Sequence, residues 1–369
     1  MKITFPHMGN QYIGTKVLLE ELGLDVIVPD ACSKETLNIG TKHSPESICL
    51  PLKINIGNFI ESIRKGADTI IMIGSCGPCR FGYYSILQKE ILKEIGEQVN
   101  IYLLDAPQGD YKKFFSGIFE LANTKNPFKI IKALYRAVRI LYQIDDLEKI
   151  AYYKRPRQKE IGAVDFYYEQ LHKDIRNVYG YKAISKLIKQ AKKNILSVEE
   201  DPDKEVIKVG LIGEIYTIIE PSVNLHMEKR LGEMGVEIHK SLSLSKWVTE
   251  HLILHPLKLT REKKVWKAAK PYLKTMIGGH ARETVGYGVL YAEQGFDGLI
   301  QVYPFTCMPE IVAQSIMPRI EKEYDIPYLC LIVDEMTGEA GFNTRLEAFV
   351  DLLVKRKEQK TSEELLLRY

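Results

Sequence analysis

The feature that most constrains the fold of this chain is an alternation, met twice, of short apolar runs with segments of helical period. In the first hundred residues "KITFPHM" (2–8), "DVIVPDA" (25–31), "ADTIIMIGS" (67–75) and "VNIYLLDAP" (99–107) read as strands. Between them "IGTKVLLEELGL" (13–24), "PLKINIGNFIESIRKG" (51–66) and "YSILQKEILKEIG" (84–96) read as helices that stop at or beside glycine. Strands that take turns with helices pair in parallel, because each helix carries the chain back to the start of the next strand. The rhythm restarts at "VIKVGLIGEIY" (206–216) and "VEIHKS" (236–241), and continues through "FDGLIQVYPFTC" (296–307) and "IPYLCLIVDE" (326–335). "NLHMEKRLGEMG" (224–235), "PEIVAQSIMPRIEKEY" (309–324) and "TRLEAFVDLLVKRK" (344–357) are its helices. The sequence therefore predicts an α/β protein with two Rossmann-like parallel-sheet domains, at 1–110 and 205–369. Residues 111–204 are rich in Lys, Tyr and Ile with few strand signals, and read as a mostly helical insertion or linker closed by the acidic "SVEEDPDKE". The two units share a rhythm but no residue-level repeat.

The net charge of +3 gives no footprint for nucleic acid or a membrane surface. No run approaches the roughly 18 apolar residues of a membrane helix, and the opening "MKITFPHMGNQYIG" lacks a signal-peptide core. A cytoplasmic setting is the expectation, and structural disulfides are rare there. The six cysteines then need another explanation.

Four of them precede a helical segment. Cys32 comes before "SKETLNIG", Cys49 before "LPLKINIG", Cys79 before "RFGYYSILQ" and Cys307 before "MPEIVAQSIM", with Pro51 and Pro309 at two of the helix starts. In parallel sheets such junctions lie at the carboxyl edge, where ligands bind. Helix N-termini there favour thiolates. Cys76 joins Cys79 in "SCGPCRF", where Gly77 and Pro78 let the backbone turn both sulfurs to one side. Cys330 stands in the apolar "PYLCLIV". It reaches the same edge if the strand ends near Leu329, and is core if the strand runs on to Asp334. A lone cysteine is ordinarily a small buried hydrophobe; four at equivalent junctions of two domains ask for a shared ligand. Structural zinc usually takes two close ligand pairs, and here there is one. A redox dithiol opens the helix after the first strand of its fold, and this pair follows the third. Dispersed thiols without a paired histidine suit an iron–sulfur cluster held between domains.

"GNQYIGTK" (9–16) approaches a phosphate-binding loop, but its last two residues are transposed. It reads as a strand-to-helix turn, and no nucleotide is expected on this chain. Glu214 and Glu220 flank the end of the first strand of the second unit; a carboxyl in an apolar pocket there is a proton-donor candidate. His280 and Arg282, in "GGHARETVG" (278–286), are candidates to donate protons or hold an anion. Arg80, beside Cys79, is a candidate partner for an anionic cluster or substrate, and His7 is a further edge candidate.

"KHSPESICLPLKINIGNFIESIRKGADTIIMIGSCGPCRFGYY" (42–84) and "YPFTCMPEIVAQSIMPRIEKEYDIPYLCLIVDEMTGEAGFNTRLEAFVDLL" (303–353) resemble the 2-hydroxyacyl-CoA dehydratase and benzoyl-CoA reductase family. Within it they are most similar to the activase-related branch that includes the double-cubane cluster proteins. The resemblance covers the first hundred residues and about 205–352. It implies that Cys49, Cys79 and Cys307 hold an iron–sulfur cluster. It also implies that a separate ATP-hydrolysing [4Fe-4S] activator dimer delivers low-potential electrons. The double-cubane [8Fe-9S] form needs six thiolates, and Cys32, Cys76 and Cys330 are the three beyond the family's set. The expectation is a reductase of a small substrate, homodimeric, with Glu214, His280 and Arg80 as candidate catalytic groups. A dehydratase-like enzyme with a single [4Fe-4S] cluster, or a non-catalytic electron carrier, are the alternatives.

Overall fold

The computed structural model describes residues 1–74, 79–105, 111–122, 124, 126–250, 254 and 263–366. The two series of apolar runs become two sheets. β1 (Lys2–Thr4), β2 (Asp25–Val26), β3 (Thr69–Gly74) and β4 (Asn100–Asp105) lie in the order β2-β1-β3-β4, every pair parallel. β5 (Ile207–Gly213), β6 (Val236–Lys240), β7 (Gly298–Pro304) and β8 (Tyr328–Val333) lie in the order β6-β5-β7-β8, again all parallel. The orders are the same pattern, so the shared rhythm of the sequence is a shared topology. In each, the second strand lies on one side of the first and the third on the other. A topological switch point therefore lies between first and third strands. β1 and β2 are shorter than the runs that announce them. Pro6 and Pro29 follow within a few residues, and proline has no N–H for the ladder.

Fifteen helices complete the described residues. They are α1 (Gln11–Leu22), α2 (Lys34–His43), α3 (Leu50–Arg64), α4 (Tyr84–Glu94), α5 (Tyr111–Leu121), α6 (Pro127–Lys154), α7 (Ala163–Arg176), α8 (Gly180–Leu196), α9 (Ile215–Ile219), α10 (Met227–Glu233), α11 (Leu244–Thr249), α12 (Lys263–Ala269), α13 (Ala281–Glu293), α14 (Met308–Tyr324) and α15 (Glu339–Leu366). The middle of the chain is helical throughout α5 to α8. None of the described helices is long and apolar enough to cross a membrane. The chain divides into two units: 1–148 with 168–193 and 242–262, and 149–167 with 194–241 and 263–369.

The first unit packs α3 and α4 on its sheet through Leu52, Ile56, Phe59, Ile60, Ile70, Met72, Tyr84 and Ile91. Behind α3, α2 comes unusually close. A Cβ on Gly40 would stand 1.7 Å from the Lys53 carbonyl oxygen, and one on Gly57 would stand 1.9 Å from that of Thr36. Only glycine allows that approach. α1 is fixed from its buried side by the Lys16–Glu20 ion pair, and Lys16 Nζ also donates to the Val178 carbonyl at 2.6 Å. The lysine of the near-phosphate-loop stretch is thus inside a helix and engaged.

The second unit builds its core from Val285, Val289, Leu299, Ala313, Met317 and Ile320, which bring α13 and α14 onto the sheet. At the end of β5, Gly213 turns at φ +132°, with a Cβ there only 2.0 Å from the Val302 carbonyl oxygen. Glycine at this point lets Glu214 start α9 immediately after the strand.

Replacing Gly57 with alanine is expected to cost about 3 kcal/mol, the upper end for overpacking. Chemical denaturation would show it as a lower midpoint at unchanged slope. An unchanged midpoint would mean that α2 gives way freely.

Candidate functional site

Ligands of parallel sheets gather beyond the carboxyl ends of the strands at the switch point. In the first unit β1 leads to His7, and the chain after β3 re-enters the described residues at Cys79. Cys76 lies outside them. Cys79 is half-buried, and its carbonyl accepts from the Gly82 N–H at 3.2 Å in the 3-10 turn Arg80–Tyr83 that feeds α4. Exposed Arg80 donates from Nη1 to the Ser47 carbonyl at 3.1 Å. That bond ties the Cys79 turn to the loop that ends at Cys49. Cys49 is the N-cap of α3, extended at φ −71° and ψ 150°, and its side chain makes no capping bond. Its sulfur meets the hydroxyl of buried Tyr84, the first residue of α4.

Cys32 directly precedes Ser33, which caps α2 through a reciprocal bond with Thr36. The Cys32 thiol is buried, within 4.8 Å of a ring nitrogen of buried His7. The His7 N–H donates to Asn58 Oδ1 at 2.9 Å, and its ring stacks on Tyr12 with centroids 4.8 Å apart. The Tyr12 hydroxyl in turn bonds His172 Nδ1 at 2.9 Å. Burial, then the positive charge of His7 and Arg176, push the His172 imidazole down to about 4.

In the second unit β5 delivers Glu214 and β7 delivers Cys307. Glu214 is spent on α9: its carboxylate accepts from the N–H groups of Tyr216 at 3.0 Å and Thr217 at 2.9 Å, and from the Thr217 hydroxyl at 2.8 Å. Glu220 is buried at the end of the same short helix and accepts from the Ser222 hydroxyl at 2.9 Å. Thr306 takes a left-handed φ of 66°, strained for a β-branched residue. The turn it makes sets Cys307 as the N-cap of α14, half-buried, with no capping bond from its side chain. Cys49 and Cys307 are therefore built alike. Each is an N-cap without a side-chain bond to its helix, followed by proline in the first turn, where the missing N–H costs nothing. Each helix N-terminus faces its sulfur with partial positive charge.

β8 runs to Val333, and Cys330 lies within it in register with Gln301 of β7. Its thiol remains half-buried, and the hydroxyls of the neighbouring Tyr328 and Tyr303 donate to the side-chain oxygens of Gln301 and Gln314. Burial pushes the thiol up, and the two hydroxyls act against that. Burial raises the Tyr303 phenol, and negative charge on Cys330, Glu310 and Cys307 adds to the rise. The Tyr303 hydroxyl itself donates to Gln314 Oε1 at 2.5 Å.

Beneath it lies a carboxyl that sequence reading missed. Glu310, three residues into the turn after Cys307, is fully buried. It accepts from Thr284 Oγ1 at 3.1 Å and from Gln301 Nε2 at 2.8 Å. Burial pushes it up to about 8; these hydrogen bonds oppose the shift, and the charges of Glu214 and Glu283 add to it. Its burial favours the neutral form of the acid. In the sequence an acid in the first helical turn reads as a partner of the helix dipole, and nothing signals its burial.

His280 is the half-buried N-cap of α13 and makes no capping bond. Its loop is held close to the start of α14, since a Cβ on Gly279 would be 2.7 Å from Pro309 Cγ. Arg282 stacks over Trp266 at 4.2 Å, and its buried Nε has no hydrogen-bond partner among the described residues.

The donor set suits an iron–sulfur group in its chemistry. The sulfurs of Cys49, Cys79, Cys307 and Cys330 are half-buried rather than sealed in the core. Two stand at helix N-termini, and a phenol hydroxyl lies on Cys49. No protein-family model matches the chain, and no curated protein matches it.

Two buried groups give stability opposite pH slopes. His172 titrates at 6.5 when unfolded and near 4 when folded. Its contribution is full above about pH 6.5 and is lost as pH falls through the folded value. Glu310 titrates at 4.5 when unfolded and near 8 when folded. Its contribution is full below the unfolded value and is lost as pH rises toward the folded one. Denaturation midpoints measured across this range should lose the acid-side slope in His172→Phe and the alkaline-side slope in Glu310→Gln. Parallel profiles for Glu310→Gln and the parent chain would show that Glu310 is ionised.

Proposed function

We propose that this protein is an iron–sulfur reductase in which Cys49, Cys79 and Cys307 hold the cluster. With Cys32, Cys76 and Cys330 they make the six thiolates of a double-cubane [8Fe-9S] group. The observation that carries the reading is the equivalence of Cys49 and Cys307. Two sheets of one topology each bring a cysteine to the N-cap of a helix with proline in its first turn, and the carboxyl edges of parallel sheets are where ligands bind. The resemblance of residues 42–84 and 303–353 to the dehydratase and reductase family points the same way.

When bound, the cluster would supply one-electron transfer at low potential. The chain's own residues would do the rest. Helix N-termini favour the thiolate forms of Cys49 and Cys307. Arg80 holds the Cys79 turn to the Cys49 loop through Ser47. Glu310 fills buried space under the start of α14, and its burial disfavours a negative charge there. His280 is the candidate proton donor with no capping duty; the carboxylate of Glu214 carries three hydrogen bonds from its own helix. Electrons would come from an ATP-hydrolysing activator dimer, the substrate would be a small molecule, and the working form a homodimer in the cytoplasm.

The engagement of Glu214 favours a second reading, a non-catalytic electron carrier. Turnover separates the two: with activator, ATP and a strong reductant, an enzyme consumes a small test substrate, and a carrier is reduced without substrate loss.

Anaerobic purification should give about eight irons with matching sulfide per chain, or about four for a single cubane. Cys49→Ser, Cys79→Ser and Cys307→Ser should each lose more than about half of that iron, and His280→Ala should keep all of it. Zinc without iron would overturn the reading.

A further inference from the structure

α6 and α8 hold none of the residues assigned to the cysteine site, yet they carry the densest run of one charge in the chain. Along 127–143, α6 has Lys129, Lys132, Arg136 and Arg139 and no acid. α8 has Lys182, Lys186, Lys189, Lys192 and Lys193 and no acid. The net charge of +3 hides this run, because acids elsewhere offset it.

The fold of the first unit sets the two helices side by side. Ser185 Oγ donates to Gln143 Oε1 at 2.9 Å, Lys192 pairs with Asp146, and the Arg136 guanidinium stands over the Tyr181 ring at 5.4 Å. Ile130, Ala133, Ala137 and Ile140 of α6 are buried, as are Ile184 and Ile188 of α8. The opposite faces of both helices therefore look outward. On α8 that face is a row of lysines, Lys182, Lys186, Lys189 and Lys193, one per turn. All four are exposed, and none makes a hydrogen bond or an ion pair among the described residues. With Tyr181 and Ser185 they line an open hollow of about 500 Å³.

On α6 the outward face is apolar. Phe128 is 79 % exposed, Ile131 57 % and Tyr135 59 %, at the i, i+3, i+7 spacing of one helix face. Arg139 donates to the Tyr135 hydroxyl at 3.3 Å, and exposed Lys132 makes no ion pair among the described residues. Like charges in a row repel, and large apolar side chains in water are unfavourable. An anionic bilayer relieves both at once. It offers headgroup phosphates at every spacing and apolar depth beneath them. A protein partner would need acids set to the spacing of the row and pockets shaped for three apolar side chains.

We propose that the outward faces of α6 and α8 dock this protein on an anionic phospholipid bilayer. The lysines meet the headgroup phosphates, and Phe128, Ile131 and Tyr135 enter the boundary between headgroups and acyl chains. It is a surface contact, since no described helix is long and apolar enough to cross.

The test is sedimentation of the full chain with vesicles of equal parts phosphatidylglycerol and phosphatidylcholine, against vesicles of phosphatidylcholine alone. The chain should pellet with the anionic vesicles at low salt and stay in solution with the neutral ones. It should leave the anionic vesicles at about 0.5 M KCl, where charges are screened within a few ångström. Lys186→Gln combined with Lys189→Gln should lower partitioning by about fivefold per lysine. Phe128→Ser combined with Ile131→Ser should lower it at least about tenfold and keep the salt dependence. Lys322→Gln combined with Lys355→Gln, at exposed lysines of the second unit, should bind as the parent does. Denaturation midpoints of all three should match the parent's, because the side chains are exposed. A parent chain that ignores anionic vesicles would overturn the proposal, and so would equal pelleting with neutral ones. Binding that survives the α8 variant would place the contact elsewhere on the chain. Loss in the α8 variant with full binding in the α6 variant would assign the lysines to a soluble polyanion. Either result sinks the bilayer surface.

Discussion

Parallel strand pairing is the constraint on which the rest depends. Two parallel neighbours cannot be joined by a tight turn, so every connection is a long crossover and every strand-to-helix junction falls on one edge of its sheet. That is why Cys32 and Cys79, which follow β2 and β3 in the chain, belong to one edge of one sheet, and Glu214 and Cys307 to that of the other; Cys49 stands instead at a helix-to-helix junction, between α2 and α3. The strand order, with its switch between first and third strands, then decides which junctions open onto a binding crevice.

The second organising fact is the treatment of buried polar groups. Each must find a partner or remain neutral. Glu214 and Ser33 are spent on helix ends, Lys16 on Glu20, and Gln301 on Glu310. Burial pushes His172 down and Glu310 up, in each case toward the neutral form. Against that background the sulfurs of Cys49 and Cys307 stand out: both are at helix N-termini, and neither caps its helix.

Much of this was legible in the sequence. The alternation of runs gave eight strands, because a buried parallel strand is nearly all apolar and its flanking helices are not. Proline after Cys49 and Cys307 marked the helix starts, since proline suits a first turn and little else in a helix. The neighbours of Cys330 were half legible: Tyr328 and Cys330 are two apart on a strand and so share a face. Tyr303 and Gln301 were not, because their place on that face depends on the register of β7 against β8, and register is a tertiary property.

The sequence by itself determined the fold class, the two series of strands and the helix starts after Cys49 and Cys307, because periodicity and turn chemistry are local; it misread Cys49 as following a strand, where the structure has α2. The tertiary structure alone decided what each polar group does. It turned Glu214 from a free acid into a helix cap and buried Glu310, which favours its neutral form. It also laid the Tyr84 phenol on the Cys49 sulfur. Those outcomes depend on which atoms meet across a sheet or between helices, and the energy of a buried charge or hydrogen bond is set by those neighbours rather than by the residue itself.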